Sequence, residues 1–173
     1  MKKRQKQITA LVHGAMIAAI YAAATYLSAT FGIAYGNIQF RLSEALTILP
    51  VFTPAAIPGL TIGCILGNLS SPMGIWDILF GSAATLLAAI SARALRKVTI
   101  KGFPFLSLLM PVIFNALIVG AEITFLFIEG DATLAIFTIS ALEVGAGELA
   151  VCLAGGIPLY YAFKKSNLFN GRF

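Results

Sequence analysis

Residues 42–69 read LSEALTILPVFTPAAIPGLTIGCILGNL, and this stretch decides the fold. It is apolar over almost its whole length but carries three prolines, Pro50, Pro54 and Pro58. Its 28 residues are long for one membrane-crossing helix, which needs about 20 apolar residues. Proline lacks the backbone N–H that a helix interior requires. We therefore expect a hairpin of two short helices that turns near residues 53–58.

The composition indicates an integral membrane protein. Of the 173 residues, 59% are apolar and only 11% are charged, against about a quarter charged in a soluble domain. No soluble core of this size needs so many apolar residues. Cys64 and Cys152 both lie in apolar segments, so we expect neither a disulfide framework nor a thiolate metal site.

The other apolar stretches complete an all-α bundle of six transmembrane helices. The first is a largely apolar run of 24 residues, which is too long for the apolar part of a signal peptide and indicates a retained helix. We expect one membrane domain over residues 1–173. Its helices are predicted at about residues 8–31, 42–53, 55–69, 74–95, 103–128 and 132–163.

The basic residues predict the orientation of the bundle. They form three groups: Lys2, Lys3, Arg4 and Lys6; Arg93, Arg96, Lys97 and Lys101; and Lys164, Lys165 and Arg172. With six spans all three groups fall on one side, which places the N and C termini in the cytoplasm. One span over residues 42–69 would put the groups on opposite sides, so the charges also support the hairpin. The net charge of +5 is therefore a topology signal, and nucleic-acid binding is not expected.

No motif indicates an enzyme. The chain lacks a glycine-rich phosphate loop ending in Gly-Lys-Ser/Thr, and its single histidine excludes paired-histidine metal motifs. No serine lies in a nucleophile-elbow pattern. We therefore expect no catalytic residues, no metal site and no cofactor in this chain.

Polar residues inside or beside the apolar spans are the candidates for ligand binding. Ionisable groups at membrane depth are costly and usually face a cavity or a partner. The predicted topology brings these residues to the outer half of the bundle, where five carboxylates face one arginine. The candidates are Arg41, Glu44, Asn68, Trp76, Asp77, Asn115, Glu122, Glu143 and Glu148.

Several of these candidates also have structural explanations. Arg41 and Glu44 are three residues apart and could form only an ion pair at the start of a helix, where the helix dipole favours Glu44. Trp76 suits the aromatic belt at the membrane interface. Asp77 could cap the fourth helix. Each of these explanations stays open at this stage.

The polar residues deeper in the spans also divide into those with a structural explanation and those that favour function. Asn68 could end a helix, and Asn115 could join helices by a hydrogen bond. Glu122, Glu143 and Glu148 favour function, because a carboxylate inside the membrane needs a partner or a proton. Glu143 and Glu148 lie about 140° apart around a regular helix, so both cannot point straight at one ligand.

Small residues form a stripe on the first helix. Ala15, Ala18, Ala19, Ala22 and Ala23 recur at spacings of three and four. Small residues let helix backbones approach closely in lipid. The stripe could pack within the bundle or dock on another membrane protein, and the absence of an energy-converting domain favours docking.

Three blocks of the sequence resemble the QueT family: IQFRLSEALTILPVFTPAAIPGLTIGCILGNL (38–69), GIWDILFGSAATLLAA (74–89) and GELAVCLAGGIPLYYAFKK (147–165). These proteins are substrate-binding S components of energy-coupling-factor (ECF) transporters, assigned to queuosine precursors. The resemblance implies a six-helix bundle that binds its ligand from outside. It also implies a transmembrane coupling subunit and two cytoplasmic ATPase subunits as partners. The ATPase subunits would hydrolyse ATP to drive transport.

The resemblance also assigns residues. Arg41, Glu44, Asp77 and Glu148 lie in the matching blocks and are carried over as site residues. S components of several classes carry an Ala-x-x-x-Ala motif on the first helix for docking. Ala15, Ala19 and Ala23 match that spacing.

The implied substrates are 7-deazaguanines such as preQ1, preQ0 or queuine, and the candidate residues suit them. A carboxylate can accept the adjacent N1–H and 2-amino donors of a guanine-like base, and a second could neutralise an aminomethyl cation. Trp76, Phe40 or Tyr35 could stack on the ring, and Arg41 or Asn68 could donate to its carbonyl. A thiamine-like cation would fit nearly as well.

Two functions follow for a multi-pass protein of a prokaryotic plasma membrane. The first is substrate capture for an ATP-driven importer. The alternative is a stand-alone, proton-coupled secondary transporter of a small nitrogenous cation or vitamin, with Glu122, Glu143 or Glu148 as a proton relay.

Overall fold

A computed structural model describes residues 2–36, 38–128 and 131–166 of the chain. Over these residues the chain folds into helices without a strand, which confirms the all-α prediction. Four stretches are long and apolar enough to cross a membrane: Lys3–Thr30, Ile75–Leu95, Phe105–Phe127 and Leu134–Ser166. Arg172, which we assigned to the last basic group, lies outside the described residues.

A helix occupies each of the six predicted spans. Helix α1 is Lys2–Thr30, a 3-10 helix is Leu42–Val51, α2 is Ala56–Asn68, α3 is Ile75–Leu95, α4 is Phe105–Glu122, α5 is Leu134–Val151 and α6 is Ile157–Ser166. A π-helical segment, Ile123–Phe127, extends α4, and a second, Cys152–Gly156, joins α5 to α6 in one continuous stretch. Helix α1 begins well before residue 8, because the Lys, Arg and Gln residues at its start favour helix.

The two short helices form the predicted hairpin, which runs alongside α3. At one end, Asn68 Nδ2 donates to the Asp77 carbonyl oxygen over 2.8 Å. At the other end, Arg93 Nη1 donates to the carbonyl oxygens of Pro50 and Val51 over 3.0 and 3.2 Å. Asp77 and Arg93 are about 24 Å apart along α3 at 1.5 Å per residue. The hairpin therefore covers nearly the full length of that membrane-spanning helix.

The first of these short helices is a 3-10 helix that contains Pro50. Runs longer than three or four residues are uncommon in this conformation, yet this one has ten. A 3-10 helix rises about 2.0 Å per residue, so ten residues reach about 20 Å, where an α-helix would reach about 15 Å. The conformation lets a short segment match the longer helices around it.

Glycines bring α2 against α1. Gly59, Gly63 and Gly67 form a Gly-x-x-x-Gly-x-x-x-Gly series on α2. A Cβ added at Gly63 would lie 2.7 Å from the Tyr21 Cβ and 2.9 Å from the Ala18 carbonyl oxygen. Such series mark close helix contacts in lipid. The glycine series is visible in the sequence, so the close approach of α1 and α2 was predictable from it.

Candidate functional site

Polar side chains gather at the end of the bundle where α1 and α2 end and α3 begins, here called the Arg41 end. The segment 31–41, of which all but residue 37 is described, covers this end before entering the 3-10 helix. Arg41, Glu44, Asp77, Glu122 and Glu148 are all less than 5% exposed. The sequence predicted that these residues converge, and the structure brings them together.

Arg41 forms an ion pair with Asp77. Its Nη2 lies 3.0 Å from Oδ2 and 3.3 Å from Oδ1 of that carboxylate, and its Nε donates to the Ala34 carbonyl oxygen over 3.0 Å. The Tyr35 ring lies 5.1 Å from the guanidinium carbon. Burial lowers the pKa of Arg41, but Asp77 and other neighbours, Glu44 among them, raise it, so the net pKa is above its usual value.

The predicted ion pair between Arg41 and Glu44 is therefore wrong. It assumed that both residues lie on one helix, where positions three apart are neighbours. Arg41 has an extended backbone, with φ −87° and ψ 106°, and precedes the helix. Its side chain reaches across to α3 instead.

The same contacts close the segment 31–41 over the bundle. Tyr35 donates its hydroxyl hydrogen to the Gly67 carbonyl oxygen over 2.7 Å. Asn68 ties the end of α2 to the start of α3 through the Asp77 carbonyl oxygen. The absence of a side chain at Gly81 makes space for the Asn68 side chain, because a Cβ there would lie 2.7 Å from Asn68 Nδ2. Arg41, Asn68 and Asp77 thus hold the closure through these hydrogen bonds.

Glu44 lies in the first turn of the 3-10 helix and faces α1. Its Oε1 accepts the hydroxyl hydrogen of Tyr21, a fully buried residue of α1. Its Oε2 is buried and has no hydrogen-bond partner. Glu44 therefore retains one free acceptor inside the bundle.

Glu148 of α5 lies close to Glu44. The two carboxylates are near enough to repel each other, and Asn115 of α4 is a hydrogen-bond partner of Glu148. Glu148 Oε2 is buried without a partner. This site thus offers a second free acceptor, held in place by an amide from the neighbouring helix.

Glu122 ends α4 immediately before the π-helical segment. Its side chain is 2% exposed, and both of its carboxylate oxygens are buried without a hydrogen-bond partner. It interacts electrostatically with Asp77 and Arg41. A charged group that is buried in an apolar environment without a partner destabilises the protein.

The guanidinium of Arg41 lies within electrostatic reach of Glu44, Glu122 and Glu148 as well as Asp77. We call these four acidic residues the carboxylate cluster. One cation among four carboxylates leaves an excess of acceptors, and four of their oxygens have no partner. The cluster is therefore suited to a ligand that is rich in N–H donors or positively charged.

Comparison with known proteins gives the class of this chain. The profile of the QueT transporter family matches residues 11–165, which is most of the chain. The chain belongs to the QueT transporter family. The resemblance seen in the sequence blocks is thus confirmed. The family is one of transporters, which is not an enzyme class.

One curated member of the QueT family can be compared directly. "Queuosine precursor transporter QueT" of Lactococcus lactis subsp. cremoris (strain MG1363) is 37% identical over 73 residues. The match covers 42% of this chain and 43% of that relative, so it spans less than half the relative's length. No solved structure matches this chain significantly.

Two predicted site residues lie apart from the carboxylate cluster of this QueT-family chain. Trp76 is 45% exposed and stacks on Phe80, with ring centroids 6.2 Å apart. Glu143 is half-buried, whereas Glu148 on the same helix is buried. The angular separation predicted for the two glutamates agrees with this difference.

Two buried polar residues at the site were missed in the sequence. Tyr21 is the hydrogen-bond donor to Glu44, and Gln39 lies beside α5. Gln39 belongs to the same QueT-family block as Arg41 and is two residues from it, which was an available signal. The position of Tyr21 within the alanine-rich α1 gave no comparable indication.

Proposed function

We propose that this chain is the substrate-binding S component of an ECF-type importer and captures a queuosine precursor, a 7-deazaguanine, from outside a prokaryotic cell. Membership of the QueT family and the name of the Lactococcus relative support the substrate class. The observation that carries the proposal is the set of unpartnered, buried carboxylate oxygens on Glu44, Glu122 and Glu148.

A 7-deazaguanine supplies what these oxygens lack. Its N1–H and 2-amino groups are adjacent donors on one edge, and each can donate to one free carboxylate oxygen. Glu148 and Glu44, each with one oxygen already held, are the acceptors for this edge. Asn115 keeps Glu148 in position.

An aminomethyl group on the ligand would add a cation. We assign this cation to Glu122, because both of its carboxylate oxygens are unpaired. Among the described residues, Arg41 is the one cation that interacts with Glu122. A ligand ammonium would bring the charge of the carboxylate cluster closer to balance. Arg41, Asp77 and Asn68 would then keep the segment 31–41 closed over the bound ligand.

The surface of α1 supports docking on a coupling subunit. Ala18 and Ala22 are buried within the bundle, while Ala15, Ala19 and Ala23 are exposed. An almost wholly apolar groove of about 360 Å³ lies along α1 and α2 and is lined in part by Ala15 and Ala19. A transmembrane coupling subunit with two cytoplasmic ATPases would occupy this side and supply ATP hydrolysis.

Calorimetric titration of the detergent-solubilised protein tests the proposal. The ligands are deazaguanines with and without the aminomethyl group, queuine, guanine, and thiamine as a decoy. We expect binding in the micromolar range or tighter that is confined to the deazaguanines. Heat from thiamine alone, or from none of the ligands with protein shown to be folded, would overturn the substrate assignment.

Glu122 also gives the alternative function a specific basis. A buried carboxylate without a partner can carry a proton, as a stand-alone secondary transporter requires. Proteoliposomes that contain only this chain distinguish the two functions. Uptake that needs no ATP and stops when the proton gradient is collapsed would replace the importer proposal.

A further inference from the structure

Gln39 faces the interior of the bundle on the same side as Arg41. Exposure alternates along residues 38–41, which end in the extended backbone of Arg41. Ile38 and Phe40 are 49% and 39% exposed, whereas Gln39 and Arg41 are 2% and 4% exposed. Alternate side chains of an extended segment point to opposite sides. The Gln39 amide therefore points toward the interior that holds the carboxylate cluster.

Contact with α5 fixes the position of Gln39 along that helix. A Cβ added at Gly147 would overlap the Gln39 carbonyl oxygen and lie 3.0 Å from its carbonyl carbon. The absence of a side chain at Gly147 thus lets the backbone of Gln39 rest directly on α5. Glu148 is the next residue of that helix, so Gln39 and Glu148 are neighbours at the site.

The Gln39 side chain has an uncommitted donor. Its Nε2 is buried and has no hydrogen-bond partner. A buried N–H without a partner costs more than an average hydrogen bond gains, and native proteins retain few of them. Such an atom, on a residue whose backbone rests on α5 next to Glu148, indicates that a ligand supplies the missing acceptor.

Several of the donors that we expected to contact a ring carbonyl are engaged in the closure instead. Arg41 gives Nε to the Ala34 carbonyl oxygen and Nη2 to Asp77. Asn68 gives Nδ2 to the Asp77 carbonyl oxygen. Both residues serve the closure, so the carbonyl of a guanine-like ligand needs another partner.

We propose that Gln39 is a further substrate-binding residue, whose Nε2 donates to the ring carbonyl of the ligand while Glu148 accepts the adjacent N1–H. This inference rests on the proposed function. Together the two residues match the acceptor and donor order along one edge of a 7-deazaguanine. Gln39 would therefore make the site specific for a base with a carbonyl at this ring position.

A double-mutant cycle with two ligands tests this role. The ligands are an aminomethyl deazaguanine and its 6-thio analogue, which keeps the N1–H and 2-amino donors but has a sulfur in place of the carbonyl oxygen. Sulfur is a weak acceptor. Gln39→Met and Gln39→Glu keep the approximate size of the side chain and remove its N–H donors. Unliganded thermal midpoints equal to wild type establish that the variants fold.

The wild-type protein should bind the oxo ligand roughly tenfold more tightly than the thio ligand, as expected for one hydrogen bond. Both variants should bind the oxo ligand about tenfold more weakly and lose the preference. The larger sulfur atom affects every protein in the cycle and cancels.

Two other outcomes overturn the inference and are distinguishable. If the wild-type protein binds the oxo ligand without preferring it over the thio ligand, or if the variants keep the preference, only the role of Gln39 fails. If the wild-type protein binds neither deazaguanine, the proposed function fails with it.

Discussion

Arg41 pairs with Asp77, 36 residues further along the chain, and not with Glu44 in its own neighbourhood. The pair joins the segment 31–41 to α3, and it leaves Glu44 to accept from Tyr21 and to keep one unpaired oxygen, which we propose for the ligand. Closure of the Arg41 end and ligand contact are thus divided between two sets of residues.

Breaking the pair should destabilise the protein. Arg41→Ala leaves the Asp77 carboxylate, which is 0% exposed, without its cation. Removing one partner of a buried ion pair costs about 3–5 kcal/mol, so the thermal midpoint in detergent should fall by several degrees. The control Lys97→Ala changes an exposed cation and should leave the midpoint unchanged. A midpoint for Arg41→Ala equal to wild type would contradict a stabilising pair.

Glu148 should matter for binding far more than Glu143. Glu148→Gln replaces one oxygen of the buried carboxyl group with an NH₂ donor, and an unsatisfied buried polar group costs about 1–3 kcal/mol, so affinity should fall by roughly tenfold. Glu143→Gln is the matched control on the same helix, since Glu143 is half-buried and apart from the cluster. Calorimetry with an aminomethyl deazaguanine measures both, and an equal loss in the two variants would refute the assignment.

Gly147→Ala should weaken ligand binding without replacing a polar side chain. The added Cβ would overlap the Gln39 carbonyl oxygen and push the segment 31–41 away from α5. Gly145→Ala is the control, because its Cβ would meet only the Ala116 Cβ, at 3.3 Å, and Val112 Cγ1, at 4.0 Å. Titration of both variants should show a loss in the first that clearly exceeds the loss in the second.

Gly63→Ala should destabilise the contact between α1 and α2. Its Cβ would lie 2.7 Å from the Tyr21 Cβ and 2.9 Å from a backbone oxygen, so the helices must separate. Overpacking of this kind costs about 1–3 kcal/mol. Ile65→Ala lies on the same helix but is 37% exposed, and should have a smaller effect on the thermal midpoint. A larger effect for Ile65→Ala would speak against tight packing at Gly63.

Ala19→Leu separates docking from ligand binding. The purified variant should bind its ligand as the wild type does, because Ala19 is exposed and lies about 200° around α1 from the buried Tyr21. ATP-dependent uptake in cells should drop, because the larger side chain fills the groove between α1 and α2. Ala146→Leu, an exposed alanine on α5, is the control. Uptake that is unaffected by Ala19→Leu would place the coupling subunit elsewhere.

Much of the fold followed from general features of the sequence. Three prolines and three basic groups predicted the hairpin, and apolar length predicted the other helices. The partner of Arg41 did not follow, because spacing along the chain gives neighbours only where the backbone is helical, and residue 41 is extended. The 3-10 and π-helical segments also escaped prediction, since they depend on how the helices pack.

The site could be predicted only in part, and the limit was again contacts between residues far apart in the sequence. Burial of Glu122 and Glu148 followed from the cost of a carboxylate in an apolar span. The burial of Gln39 depends on which way a short segment faces. That direction is set by contacts such as Gly147 against Gln39, between residues far apart in the sequence.

The π-helical segment Cys152–Gly156 adds one residue to the turn between Glu148 and Tyr160. In an unbroken α-helix, residues twelve apart would point about 120° away from each other, but one extra residue reduces this to about 20°. Both side chains accordingly face the interior. A relative with one residue fewer here would keep both orientations in a plain α-helix. A single-residue gap in an alignment at this place would therefore mean a change of helix type. The side chains that correspond to Glu148 and Tyr160 would still point in nearly the same direction.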